Sequence, residues 1–312
     1  MLEQALLQAK SIAIGGHIRP DGDCVGSCMG LYGYIKKCYP HIQTDVYLEE
    51  IPDSFSMINM VKFIRHEAES KEYDLFIALD CAGKNRLGFS EPLFDKAKKT
   101  FCIDHHISNE GFADDNYIVA ESSSTAELVY RLINKEKIDT DIAECLYLGI
   151  VHDTGVFQYS STAPETMEAA ADLMRKNIRA NEIINKTYYE KTYPQNLALG
   201  QALLSSELIL DDKCIVSYLT NETMQRFQVV PKDLEGIVSQ LRVTKGVEVA
   251  IFMYQLSEEE YKVSLRASGD VDVSLVAQVF QGGGHKKAAG LSMKGTPEKI
   301  TKLLTEEIRK QL

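Results

Sequence analysis

The sequence predicts a mixed α/β protein in two parts. A larger N-terminal domain has a mainly parallel sheet covered by helices on both faces, and a smaller C-terminal α/β domain lies across a cleft. Three observations carry this. Over roughly the first 180 residues, short apolar runs rich in Val, Ile, Phe and Tyr alternate with stretches of helical period, the pattern of strands linked through helices. Beyond about residue 210 the texture changes to closely spaced strand-like runs. The chain has 312 residues, 45% hydrophobic and 25% charged, which are globular values and enough for two cores.

Met1 to Lys10 reads as a helix containing Glu3 and Gln4 rather than a basic-then-apolar leader. Ser11 to Gly15 is the first short apolar run. Val25 to Lys36 places Val25, Cys28, Met29, Tyr32 and Ile35 at helical spacing. Thr44 to Leu48, Asp74 to Leu79 and Thr100 to Ile103 are further strands. Helices are expected at Thr125 to Asn134, Asp141 to Val151 and Glu165 to Asn177. Asn181 to Leu210 reads as helix broken around Tyr193-Pro194, because proline ends or kinks a helix. Residues 186–209 are therefore the expected helical connector between domains at 1–185 and 210–312. Cys214 to Leu219, Val247 to Leu256 and Tyr261 to Ala267 are strands, the last two joined as a hairpin by Ser257 to Glu260. Val273 to Phe280 is helical. A closing helix starts at Pro297, with Thr296 as cap and Ile300, Leu303, Leu304 and Ile308 as its apolar stripe.

Composition removes several classes. No run approaches the ~18 apolar residues of a membrane span, so a cytoplasmic protein with no membrane association is expected. Seven cysteines, an odd number without a Cys-x-x-Cys pair, argue against disulfides and a thiolate zinc site. Cys24, Cys81 and Cys102 read as small buried residues. A net charge of −11 does not suit a grip on long nucleic acid. A small anionic ligand needs a local cluster of cations.

The chemistry sits where strands end, which is where open α/β sheets hold ligands. The first strand runs into Gly16-His17-Ile18-Arg19-Pro20-Asp21-Gly22-Asp23. The run Asp74 to Leu79 delivers Asp80, and Thr100 to Ile103 delivers Asp104-His105-His106. The helix ending Gly149-Ile150-Val151 delivers His152-Asp153. A lone Asp at a strand end is usually a cap or turn residue. Here five of the seven histidines, His17, His105, His106, His152 and His285, fall inside charged or glycine-rich motifs. Converging carboxylates repel, and divalent cations relieve that repulsion. Mixed carboxylate and imidazole ligands suit manganese, iron or zinc better than calcium. Asp-Gly-Asp can address two ions, and two ions ~3.5–4 Å apart form a clamp for attack at phosphorus.

In the second domain, Gln281-Gly282-Gly283-Gly284-His285-Lys286-Lys287-Ala288-Ala289-Gly290 reads either as a flexible loop after a helix or as an anion-binding backbone. Arg266 suits a bidentate clamp on phosphate or carboxylate, although an arginine on a strand is also commonly a solvated charge.

Together, His17-x-x-x-Asp21-x-Asp23, Asp80, Asp104-His105-His106, Asp153 and Gly282 to Gly290 resemble the DHH phosphoesterases with a C-terminal DHHA1 domain. The resemblance covers essentially the whole chain. It points to the branch of bifunctional oligoribonucleases (nanoRNases) and 3′-phosphoadenosine 5′-phosphate (pAp) phosphatases. It implies two divalent ions, manganese foremost. His17 and Asp21 would hold one ion, Asp23, His105 and Asp153 the other, and Asp80 would bridge them. His106 would stand beside the scissile phosphate and Asp104 would orient an imidazole. Arg266, Gly283, Gly284 and His285 would hold the far end of the substrate. Ser122 to Glu127 would line the cleft without a metal role, and His152 would be an outer-sphere residue or a substrate contact. The reaction implied is hydrolysis by a metal-bridging hydroxide, with short RNA, pApA or pAp as substrate. A homodimer is compatible with the resemblance. Two other readings are an inorganic pyrophosphatase, disfavoured by Gly282 to Gly290, and a non-catalytic nucleotide-binding regulator, in which motif residues should be missing. A nicotinamide dehydrogenase would need Gly-x-Gly-x-x-Gly where His17 to Asp23 stands.

Overall fold

Six parallel strands make the sheet of the first unit, Met1–Glu190. They are β1 Ser11–Gly15, β2 Gln43–Tyr47, β3 Ile64–Arg65, β4 Leu75–Leu79, β5 Thr100–Asp104 and β6 Asp115–Ile118, in the order β3-β2-β1-β4-β5-β6. The computed structural model describes residues 1–69 and 71–312. The central strands β1, β4 and β5 are buried on both faces, as a doubly covered parallel sheet requires. Ile12, Ile14, Ile77 and Leu79 pack into one core, while Ala13, Phe76 and Ala78 pack into a second on the opposite face. Helices α1 Leu2–Gln8, α2 Gly22–Cys38, α3 Glu91–Lys96, α4 Thr125–Leu132, α5 Thr140–Asp153 and α6 Pro164–Met174 follow. The first core takes residues of α1, α2, α4, α5 and α6, and the second takes Leu93 and Phe94 of α3.

The strand order reverses between β1 and β4, which are hydrogen-bonded neighbours with Gly15 opposite Ala78. A crevice at such a reversal is where doubly wound sheets bind ligands. Helices α2 and α5 cross closely. A Cβ on Gly26 would lie 2.5 Å from the Cys145 carbonyl oxygen and 2.7 Å from Gly149 N. This contact brings the start of α2 to the end of α5.

Past α7 Ala180–Ile183, Ile184–Tyr189 is a π-helix. Pro194 does not kink a helix as the sequence suggested. The chain breaks earlier, and Pro194 lies in the first turn of a new helix, α8 Tyr193–Leu204. Thr192 and Gln195 form its capping box, so proline sits where its missing N–H costs nothing.

The second unit, Lys191–Leu312, holds strands β7 Glu207–Ile209, β8 Cys214–Leu219, β9 Val249–Ser257, β10 Glu260–Ala267, β11 Gly283–His285 and β12 Ala288–Lys294. Their order is β11-β12-β10-β9-β8-β7, with only β8 and β9 parallel. Residues α9 Asn221–Phe227, α10 Ile237–Arg242, α11 Val273–Val279 and α12 Pro297–Arg309 complete it. Thr296 caps α12, and Ile300, Leu304 and Ile308 are buried. Among the described residues no helix is long and apolar enough to cross a membrane. All seven cysteines are free, with Cys24, Cys81 and Cys102 buried.

Candidate active site

The carboxyl ends of β1, β4 and β5 deliver His17, Asp80 and the Asp104-His105-His106 triplet to one place. Both oxygens of Asp80 face imidazoles: Oδ2 lies 3.5 Å from His17 Nε2, and Oδ1 lies 3.6 Å from His105 Nε2. Each of these rings is turned by its other nitrogen. His17 Nδ1 donates to the Ile18 carbonyl (2.8 Å) and His105 Nδ1 to the Ser122 carbonyl (3.2 Å). That fixes the tautomer and leaves Nε2 aimed into the carboxylates, the arrangement of a metal-binding histidine. Asp80 adopts φ 54°, a left-handed conformation that Asp tolerates better than most residues.

Asp21 caps α2, accepting from the backbone N–H of Asp23 and Cys24 (both 3.1 Å), and its Oδ1 lies 3.6 Å from His17 Nε2. Asp153, the last residue of α5, places Oδ2 3.0 Å from His105 Nε2. Asp23 is fully buried, and its Oδ2 is 4.0 Å from the same nitrogen. Among the described residues, ligand-type atoms within 4.8 Å of one another form three groups: His17, Cys24 and Asp80; Asp80, His105 and His106; and Asp23, His105 and Asp153.

The electrostatics agree with the geometry. Burial opposes protonation of His17, but Asp21 and Asp80 outweigh it and push its pKa up to about 12. Burial likewise opposes protonation of His105, and Asp153 and Asp23 carry it up to about 10. Burial and the neighbouring carboxylates Asp80 and Asp153 raise Asp23 well above the usual carboxylate range. Burial and Asp80 also raise Asp153. Imidazoles and carboxylates that are both raised mark a negative local potential, which favours the binding of positive charge. Its mixed oxygen and nitrogen donors fit hard-to-borderline divalent cations.

Three supports go beyond the sequence reading, which placed Ser122 to Glu127 along the cleft but gave it no part in holding the carboxylates. The first two backbone N–H groups of α4, at Thr125 and Ala126, donate to Asp23 Oδ2 (2.6 Å) and Oδ1 (2.8 Å). Thr125 Oγ1 donates to Asp80 Oδ1 (3.1 Å). The run Ser122 to Glu127 therefore holds two of the carboxylates, and Ser124 caps the helix by accepting from Glu127 N. The Ser124-x-x-Glu127 spacing was a readable signal for that helix start. Buried Asn109 donates to Asp104 Oδ2 (2.7 Å) and to the Cys81 carbonyl (3.1 Å); nothing in its sequence context marked it. Gly22 is the third. A Cβ there would lie 2.2 Å from His152 Cγ, so the glycine of Asp-Gly-Asp lets an imidazole rest on the backbone.

In the second unit, Arg266 pairs with Ala288 and Ala288 with His285. The three form one cross-strand row and project from the same face. The next row on that face is Ser264, Gly290 and Gly283. Small residues thus separate the guanidinium from the imidazole. The glycine run is an edge hairpin rather than a free loop, because Ala289, Leu291 and Met293 alternate into the core. Lys287 Nζ donates to the Gly269 carbonyl.

Comparison with known proteins agrees with this order of motifs. A model of the DHH family, N-terminal domain, matches residues 11–150, and a model of the DHHA1 domain matches residues 211–312. The bifunctional oligoribonuclease and PAP phosphatase NrnA of Bacillus subtilis is 25% identical, over 91% of this chain and 89% of that protein. The protein of the same name from Thermus thermophilus is 27% identical, over 96% and 90%. The crystal structure of an exopolyphosphatase-related protein from Bacteroides fragilis superposes with a TM-score of 0.92 at 28% identity, covering 99% of this chain and 94% of that one. The chain belongs to the DHH phosphoesterase family, in the form that carries a DHHA1 domain, and is a hydrolase of phosphoester bonds.

Proposed function

We propose that this protein degrades short oligoribonucleotides, including pApA-type dinucleotides, to mononucleotides and removes the 3′-phosphate of pAp. The observation that carries this reading is Asp80, whose two oxygens face two separately anchored imidazoles. The names of the Bacillus and Thermus relatives support the substrate class. In this reading His17 and Asp21 hold one divalent ion, Asp23, His105 and Asp153 hold a second, and Asp80 serves both. Such ions, manganese foremost, supply water of lowered pKa and neutralise charge on the phosphoryl oxygens. His106, held as an imidazolium by donating its Nδ1–H to the ionised Asp104, presents Nε2–H as a donor to the phosphate or the leaving oxygen. Arg266 and His285, which share one cross-strand row, bind the remote phosphate or base together with the backbone of Gly283 and Gly284. The net charge of −11 favours short substrates, since a long polyanion meets repulsion beyond the site.

The test is parallel turnover of pAp, pApA, five-nucleotide RNA, cyclic di-AMP and pyrophosphate with manganese. Mononucleotides from the RNA and phosphate from pAp are expected. Turnover of pyrophosphate alone would overturn the reading. Arg266→Ala should raise KM for these substrates and leave manganese affinity unchanged in a titration; equal loss of both would remove Arg266 from substrate binding.

A further inference from the structure

Beside the carboxylate cluster lies an aromatic assembly that the reaction as described does not use. His152, next to Asp153, has its ring edge-to-face with Phe55 (centroids 5.2 Å, 87°) and with Tyr188 (5.5 Å, 79°). Thr187 Oγ1 donates to the Ile183 carbonyl (2.7 Å), so it accepts from His152 Nε2 (2.9 Å). The π-helix makes this geometry, since successive residues Thr187 and Tyr188 both reach one ring; π-turns of this kind recur at functional sites. The Tyr188 hydroxyl lies 3.4 Å from that of Tyr159.

Tyr159 arrives by an unusual route. Directly after Asp153 and Thr154, three successive residues have positive φ: Gly155 (56°), Val156 (57°) and Phe157 (63°). Left-handed backbone is disfavoured for any residue with a Cβ, most of all a β-branched one. Buried Thr154 holds the turn, its Oγ1 accepting from Phe157 N and its carbonyl from the N–H groups of Gln158 and Tyr159. The outcome is that Tyr159 lies over Gly155. A Cβ on Gly155 would be 2.5 Å from Tyr159 Cζ. One end of the ring is thus seated on backbone, yet the residue stays 44% exposed. Strain retained to hold an exposed aromatic beside a reaction centre points to ligand contact rather than packing.

We infer that Tyr159, backed by Tyr188 and His152, is a stacking platform for the nucleobase of the nucleotide whose phosphate reacts at the Asp80 cluster. The inference rests on the nucleotide reading above and names the residues that would read the base. Stacking on an aromatic side chain is tolerant of base identity, which suits an enzyme acting on short RNA of any sequence.

The chain contains no tryptophan, so Tyr159→Trp installs a single fluorescent reporter at the platform. AMP should quench it in the presence of manganese, and ribose 5-phosphate should not. Tyr159→Leu should raise KM for pAp about tenfold and lower the preference for pAp over ribose 3′,5′-bisphosphate by a similar factor; Tyr159→Phe should restore both. Absence of AMP quenching, or an equal KM rise for pAp and ribose bisphosphate in Tyr159→Leu, overturns the platform. Failure of the wild-type protein to hydrolyse any nucleotide overturns the substrate reading instead, and shows before any variant is made.

Discussion

Asp104 Oδ1 lies 2.7 Å from His106 Nδ1, while its Oδ2 accepts from Asn109 at 2.7 Å. Asp104 is fully buried, so this pair sets both the direction and the tautomer of the His106 ring. A carboxylate in that place also favours the protonated imidazole, and the His106 pKa is raised with Asp104 as the main cause.

Asp104→Asn keeps the shape but offers His106 an amide. Partners that orient a functional imidazole are worth about 10–100-fold when lost. We expect kcat to fall by that range with manganese affinity little changed. Steady-state kinetics beside a metal titration measure the two separately, and an unchanged kcat would remove Asp104 from the orienting role.

Asp80→Asn is a cleaner variant than alanine because asparagine tolerates the φ of 54° at this position. Phosphoester hydrolysis should fall to background. Added manganese should stabilise the variant less than the wild type. Thermal melts with chelator and with manganese decide this, and equal metal stabilisation would contradict the shared role of Asp80.

Gly22→Ala would push a methyl group into the His152 ring, 2.2 Å from Cγ. His152 is held between Phe55 and Tyr188 and bonded to Thr187, so the collision should shift the flanking Asp21, Asp23 and Asp153. Lower stability and weaker manganese binding are expected. Adding His152→Ala should recover part of the stability, with a coupling of about 0.5–3 kcal/mol. Strict additivity in denaturant melts of the four proteins would show that the two residues do not clash.

Away from the site, buried Glu144 accepts from Arg179 Nε (2.8 Å), Nη2 (2.6 Å) and backbone N (3.1 Å). Burial opposes its ionisation, but Arg179 prevails and holds its pKa below the usual glutamate range. A depressed folded value means that the ion pair stabilises the fold above the unfolded pKa of about 4.3. That stability is lost as pH falls through the lower folded value. Glu144→Gln should cost about 1.5–3 kcal/mol at pH 7 and progressively less as pH drops below ~4. Urea midpoints at several pH values test this; a gap that widens in acid would reverse the sign.

Long apolar strands and periodic helices were legible because their signal is local. Ser11–Gly15, Leu75–Leu79 and Thr100–Asp104 lie within a residue of their expected bounds. The short strands Ile64–Arg65, Asp115–Ile118 and Glu207–Ile209 were not legible. They are polar or brief and sit at or near sheet edges, where neighbours rather than composition make a strand. Gly283–His285 was hidden for the same reason, since glycine has no strand preference of its own.

What the sequence determined by itself was the inventory: which carboxylates and imidazoles end the strands, and the class of chemistry such donors serve. Tertiary structure decided how they are shared. Asp23 meets Thr125 across 102 positions of chain and Asp80 meets Thr125 across 45, and the helix-start amides there orient carboxylates that the sequence could only enumerate. The close α2–α5 crossing at Gly26 and Gly149 brings Asp23 towards Asp153. The left-handed turn at Gly155 to Phe157 aims Tyr159. Composition and period report on the nearest few residues, whereas the direction of a lone pair is set by whatever the fold packs against it.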